Sequence, residues 1–179
     1  MADRELSPIR FPADFRLESL ERSHPRSKFR CGEADVDAWL SSKALQHQKK
    51  RLSASKVLLS DAGSIAGYYT LATGQVDFGD LPPEETKRLP QRALPVAVLA
   101  WLGVGLEHQG SGLGRLLLAQ ALRDCWQAGQ TFAFVAVILD AVNDDAKAFY
   151  QRWDFEELPG HPYRLFLSYS RLDAMLTGE

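Results

Sequence analysis

Cysteine is scarce in this chain of 179 residues. There are two, Cys31 and Cys125, far apart and in no metal-ligand spacing. That excludes a disulfide scaffold and a cysteine metal site, and predicts reduced thiols and no bound metal. No apolar run approaches the roughly 20 residues that a membrane-spanning helix needs, so no membrane partner is expected. The first residues, Met1-Ala2-Asp3-Arg4-Glu5, mix charges and lead into no apolar stretch, so no signal peptide is expected and the predicted location is cytoplasmic. No Gly-Lys-Ser/Thr occurs, which excludes a Walker A loop. Acidic residues are missing between Asp37 and Asp61, where Lys43, Lys49, Lys50, Arg51 and Lys56 stand. Residues 1–60 carry 12 Lys+Arg and 8 Asp+Glu, the remainder 9 and 15, so a net charge of −2 divides into +4 and −6. An acid-free basic stretch suits an anionic partner such as RNA. It also suits a solvated helix end whose cations meet the C-terminal dipole, the commoner case for such a run.

What is present is an ordinary globular composition, 45% apolar and 25% charged. The length predicts one domain, residues 1–179, with 1–10 as a loose tail. Phe15 to Leu20 alternates as a strand. Val36, Trp39, Leu40 and Leu45 recur near a period of 3.6, predicting a helix over Glu33–Leu52. Val57–Leu59 and Ile65–Thr73 flank Asp61-Ala62-Gly63-Ser64 and predict a hairpin. Leu81 to Pro95, with four prolines, reads as a connecting loop with one helical turn around Glu84–Arg88. Val96–Val104 is a long apolar strand. A helix is expected from Arg115 to Ala128, ended by Gly129, then a buried strand over Thr131–Leu139. A short helix, Asp144–Trp153, and a last strand, Tyr163–Tyr169, complete a mixed α/β (α+β) arrangement of one sheet with helices against it.

Between strand and helix lies Gln109-Gly110-Ser111-Gly112-Leu113-Gly114-Arg115. Glycines there let the backbone adopt positive φ and approach a bulky ligand. The first amides of the following helix and its dipole form an anion site, and Arg115 adds charge. A phosphate-bearing cofactor fits. The dinucleotide fingerprint does not: the spacing is G-x-G-x-G, and the next strand-end acid, Asp140, lies 26 residues past Gly114.

Gln109-x-x-Gly112-x-Gly114 resembles the acetyl-CoA signature of the GNAT acetyltransferases. Asn143, Ala146, Phe149, Tyr150 and Phe155 resemble that family's N-x-x-A-x-x-x-Y-x-x-x-G-F segment, with Asp154 standing where the family usually has Gly. The resemblance implies a GNAT-like fold, a mostly antiparallel twisted sheet with splayed central strands, and acetyl-CoA as co-substrate. It implies that Leu102, Gly103 and Val104 bind the pantetheine arm, that Gln109 to Arg115 hold the pyrophosphate, and that Asn143 and Phe149 contact the cofactor. Tyr150 is the expected general acid: a phenol with a pKa of about 10 carries its proton at pH 7. The competing reading is a packed aromatic with a wet hydroxyl. No general base stands out beyond Glu107 and His108 beside the loop.

From about residue 15 to 172 the chain further resembles the acetyltransferase toxins of bacterial toxin–antitoxin pairs, which acetylate aminoacyl-tRNA and stop translation. The residues that carry this are Phe29-x-Cys31-Gly32, Leu40, Ser53-Ala54-Ser55-Lys56, Ile65 to Ala72, Pro95-Val96-x-Val98-Leu99, Gln109 to Leu117 and Asp145 to Tyr150. The resemblance implies an aminoacyl-tRNA acceptor, contacted through Lys43, Lys49, Lys50, Arg51 and Lys56. It also implies a homodimer and a small antitoxin that masks the site. Those toxins usually carry Arg-Leu-Ala-Val-Asp before the loop; here it is Trp101-Leu102-Gly103-Val104-Gly105. Two other functions fit the same motifs: acetylation of a small amine or a protein N-terminus, and a non-enzymatic acetyl-CoA-binding module.

Overall fold

The computed structural model describes residues 7–179, so part of the expected tail, residues 1–6, lies outside the described residues. Seven strands form one sheet in the order β1-β2-β3-β4-β5-β7-β6. The chain divides into two compact units. The first comprises the chain up to Ala72 together with Ala100–Leu122, the second Thr73–Leu99 with Arg123–Glu179.

In the first unit, β1 (Phe15–Ser19) pairs antiparallel with β2 (Ala54–Ser60), which pairs antiparallel with the start of β3 (Ile65–Asp77) across the predicted turn. The helix expected over 33–52 is two helices, α1 (Ala34–Ser42) and α2 (Ala44–Lys49), broken at Lys43 (φ −125°, ψ −36°). Ser41 and Ser42 supply the reason: both hydroxyls donate to the Ala38 carbonyl, at 3.3 and 2.6 Å, and such back-bonding competes with the helix ladder. Tyr68, Phe29, Val36 and Leu40 form the core here. The Tyr68 hydroxyl donates to Val36 O at 2.6 Å, and the Phe29 and Tyr68 rings meet edge-on. A Cβ at Gly103 would lie 2.8 Å from Val36 Cγ1, so glycine is what lets α1 sit this close to the strand.

In the second unit, α3 (Pro83–Thr86) is the single helical turn expected in the proline-rich loop, and β4 (Ala93–Val104) begins three residues earlier than predicted. Parallel pairing of β4 with β5 (Ala136–Asp140) covers only Val96–Val98 with Ala136–Ile138. Leu99 and Leu139 follow without continuing the register, although β5 goes on pairing with β7 (His161–Ser168) through Asp140. The parallel register therefore ends in mid-strand. The expected strand over Thr131–Leu139 is shortened, since α4 (Leu113–Thr131) runs to Thr131 and Phe132 is exposed. Gly129 does not end α4. It lies against the Tyr169 and Phe134 rings. Helix α5 (Asp144–Gln151) is as predicted; β6 (Glu156–Leu158) and α6 (Tyr169–Thr177) are additions. Ser168 caps α6 by accepting from Arg171 N, and Gly178 closes it in the left-handed region. Both cysteines are buried and free, and desolvation pushes Cys31 up to about 11 and Cys125 up to about 12, so both stay protonated.

Candidate functional site

The glycine-rich loop belongs to the first unit. After β4 the chain makes a 3-10 turn, Leu106–His108, fixed by Gly105 N to Ala66 O at 2.8 Å and Leu106 N to Arg30 O at 2.9 Å. Gln109 then pins the loop: its side-chain amide donates to Cys31 O at 2.7 Å and Val104 O at 3.0 Å. That engages the amide of a residue expected to meet the cofactor, and leaves its carbonyl oxygen and main chain. The Ser111 hydroxyl donates to His108 O. Gly110 and Gly112 have φ of 78° and 86°, and a Cβ at either would meet nothing within 4 Å. These glycines answer a conformational need in open space, not close packing. Leu113 is buried and seats α4, while Arg115 is exposed and makes no ion pair or hydrogen bond among the described residues. The first amides of α4 have no acceptor within the helix. Open glycines, unpaired amides and an unpaired guanidinium fit a diphosphate.

Leu102, Gly103 and Val104 close β4 beyond the register with β5. Gly103 is buried, and its carbonyl lies 3.0 Å from where a Cβ of Gly67 would stand. His108 meets the Phe15 ring edge-on at 5.4 Å, and Glu107 is exposed.

Asn143, Phe149 and Tyr150 belong to the second unit. Asn143 Oδ1 accepts from Ala146 N at 2.8 Å and so caps α5, fixing the helix that carries the tyrosine. Phe149 and Phe155 meet the Tyr150 ring edge-on at 5.2 and 5.8 Å. Phe155 reaches it because Asp154 turns the chain at φ 64°, with Asp154 N bonded to Gln151 O and Phe155 N to Tyr150 O. A left-handed residue is what the helix end requires, which explains a family preference for glycine and why aspartate serves. The Tyr150 hydroxyl has no hydrogen-bond partner among the described residues. Burial of the ring raises its pKa above the ordinary phenol value, so it holds its proton at any physiological pH.

Lys43, Lys49, Lys50 and Arg51 are exposed and form no ion pair among the described residues. Lys56 is half-buried on β2 and has a partner. Lys49 does lie in the last turn of α2, as the helix-dipole reading expected. Sequence reasoning missed an aromatic cluster that includes residues of α1 and α2. Trp39 and Trp101 stack at 5.4 Å with 14° between planes, and His47 meets Trp39 edge-on at 4.6 Å. No group of His, Cys, Asp and Glu suited to a metal occurs among the described residues.

The sequence model of the acetyltransferase (GNAT) family matches residues 16–155. A tRNA-acetylating toxin of Mycobacterium tuberculosis is 36% identical over 141 residues, 79% of this chain and 84% of the relative. A probable toxin TacT of Sinorhizobium fredii is 25% identical over 162 residues, 86% of this chain and 90% of that one. Among solved structures, a crystal structure of a KacT mutant superposes with a TM-score of 0.84 at 25% identity, covering 90% of this chain and 99% of that one. AtaT complexed with acetyl-methionyl-tRNAfMet shares the fold, with a TM-score of 0.83 at 23% identity over 90% of this chain and 99% of that one.

Proposed function

The chain belongs to the acetyltransferase (GNAT) family and is an acetyl-CoA-dependent N-acetyltransferase, and from that premise we propose that its acceptor is the α-amino group of aminoacyl-tRNA, making it a translation-blocking toxin. The observation that carries the acceptor is the 36% identity with a tRNA-acetylating toxin over 79% of the chain. The exposed, unpaired Lys43, Lys49, Lys50 and Arg51 support it, because a tRNA is bound largely through its phosphates.

In this reading each residue has one task. Acetyl-CoA, when bound, supplies an acetyl group activated as a thioester. Gly110 to Arg115 hold its diphosphate through loop and helix amides and the Arg115 guanidinium, and Gln109 keeps that loop in place. The main chain of Leu102, Gly103 and Val104, past the end of the parallel register, holds the pantetheine arm. Asn143 fixes α5, and Phe149 flanks both cofactor and Tyr150. The amine nitrogen bonds to the acetyl carbon, the carbon–sulfur bond breaks, and the Tyr150 hydroxyl gives its proton to the departing sulfur. The proton lost by the amine passes to solvent. An α-amine has a pKa of about 7.7–8.0, and the neighbouring ester lowers it, so a neutral nucleophile is present near pH 7 without a dedicated base.

The same reading includes a cytoplasmic homodimer restrained by a small antitoxin. Light scattering and co-expression with the neighbouring gene test those parts. The acceptor is tested by transfer of labelled acetyl from acetyl-CoA to charged tRNA, with uncharged tRNA and Tyr150→Phe protein as controls. Label on charged tRNA alone, lost in the variant, is expected. No label on charged tRNA, with acetyl-CoA still raising the melting temperature, would overturn the acceptor and direct attention to small amines.

A further inference from the structure

Trp39 and Trp101 are both half-buried and packed against the core of the first unit. Their polar handles differ. The Trp39 indole N–H donates to Thr70 Oγ1 at 3.1 Å, and Thr70 Oγ1 is bonded in turn to Ser55 Oγ at 2.7 Å, which fixes the ring. The Trp101 indole N–H has no hydrogen-bond partner among the described residues and is not sealed from solvent. The pair thus leaves one indole donor free for a ligand.

The surroundings indicate which ligand. His47 meets Trp39 across the break between α1 and α2, and Lys43 stands at that break, its N–H bonded to Trp39 O and its carbonyl to His47 N, each at 3.0 Å. Lys43, Lys49, Lys50 and Arg51 are exposed and unpaired, and the sequence has no acid from 38 to 60. Arg51 holds a left-handed conformation, φ 61°, at the end of α2, a place where glycine would be unstrained. A stacked indole pair and a helix end rich in unpaired cations, in the same unit, match an unpaired nucleobase on a phosphodiester chain: the base stacks and the phosphates meet the cations. Within a duplex both faces of every internal base are already stacked, so only its two ends offer a base face.

We propose that the Trp39–Trp101 stack, together with Lys43 at the break between α1 and α2 and Lys50 at the end of α2, is a binding site for an unpaired base of single-stranded RNA, Trp101 N–H supplying a donor to that nucleotide. The proposal rests on the aminoacyl-tRNA reading only for the identity of the strand, which would be the unpaired acceptor end. It also gives a role to the tryptophan that replaces the arginine usual in similar toxins.

The test is the binding of a short labelled single-stranded RNA ending in CCA, followed by anisotropy and by the protein's own tryptophan fluorescence. The same RNA as a blunt duplex and free CoA are run beside it. The single strand is expected to bind more tightly than the duplex and to quench fluorescence. Trp101→Leu should weaken binding roughly tenfold, since base–aromatic stacking accounts for an effect of that order, without changing its salt dependence. Trp101→Phe, which keeps a ring, should retain most of the affinity and guards against misfolding as the cause. Lys43→Gln with Lys50→Gln should instead flatten the salt dependence, by about 0.7 in logarithmic slope for each phosphate no longer neutralised. Equal affinity for the duplex, or unchanged binding in Trp101→Leu, overturns the site. CoA reproducing the quench and abolishing that of the RNA also overturns it, because the base on the stack is then the cofactor's adenine. Transfer to charged tRNA is scored separately. Transfer with RNA binding indifferent to Trp101 removes the stacking site and leaves the acceptor. Single-strand binding through Trp101 without transfer removes the acceptor and leaves the site.

Discussion

The side-chain amide of Gln109 bonds to the carbonyl of Cys31, 78 residues earlier, at 2.7 Å, and its second donor reaches Val104 O. The loop is thereby tied to two fixed points of the first unit before Gly110 turns to positive φ. Its shape is held by a side chain as well as permitted by glycines.

Replacing Gln109 by Leu removes both bonds and leaves two carbonyls short of a donor. A lost hydrogen bond of this kind costs about 1 kcal/mol, and more where the abandoned group is buried. The KM for acetyl-CoA is expected to rise about tenfold with kcat nearly kept, because in the proposed mechanism the loop holds the diphosphate and takes no part in the chemistry. Calorimetric titration checks the affinity directly. An unchanged KM would mean that the pins do not shape the site.

Tyr150→Phe should separate catalysis from stability. The ring is held by Phe149 and Phe155, and the hydroxyl has no protein partner among the described residues, so the melting temperature should hardly move. The rate constant kcat should fall about a hundredfold or more, the range for a lost general acid. Because burial raises the phenol's pKa, its neutral, proton-bearing form persists as pH climbs. An alkaline fall in kcat below about pH 10 therefore belongs to another group. A kcat in the variant close to that of the parent would remove Tyr150 from the mechanism.

The parts of the site that sequence made legible are those where residue type answers a local demand. Gly110 and Gly112 stand where positive φ is needed, and Tyr150 lies on the expected short helix, whereas the cap that Asn143 supplies comes from the structure. What stayed hidden depends on partners distant in sequence. Gly129 reads as a helix stop, yet it answers to Tyr169. The break at Lys43 needs two serine hydroxyls to choose the same carbonyl. The stack of Trp39 on Trp101 joins residues whose periodicity assigns each to an ordinary buried face. Helix α6 did carry a signal, Ser168 before it and Gly178 after, which the apolar pattern of β7 overshadowed.

Two non-glycine residues, Arg51 and Asp154, occupy the left-handed region at helix ends. Around Arg51 the bonds are Arg51 N to Gln48 O at 3.0 Å and Leu52 N to His47 O at 2.9 Å, the double closure in which glycine is preferred. Left-handed backbone costs an ordinary L-residue about 1–2 kcal/mol, and aspartate less. Arg51→Gly should raise urea-unfolding stability by about 0.5–1 kcal/mol, the relief exceeding the entropy that glycine adds to the unfolded chain. Asp154→Gly should gain less. RNA binding should weaken in Arg51→Gly despite the added stability, as expected where strain is kept for a contact. The reverse order of stabilities would show that the Arg51 conformation carries no strain.

Gly129 offers the opposite case, a helical glycine that alanine should not improve. In an exposed helix interior the exchange favours alanine by about 1 kcal/mol. Here a Cβ would lie 2.4 Å from Tyr169 Cε2 and 3.1 Å from Phe134 Cε1. Neither ring has easy room to retreat. The two meet edge-on at 5.2 Å, and the Tyr169 hydroxyl is held by Gln130 and by Trp126 O. Overpacking of this kind costs about 1–3 kcal/mol, enough to reverse the propensity gain. Gly129→Ala should therefore lower the melting temperature, while in a Tyr169→Leu background the same change should become neutral or stabilising. Such a double-mutant cycle isolates the pairwise interaction. Equal effects of Gly129→Ala in both backgrounds would mean that the ring of Tyr169 is not what requires glycine at this position.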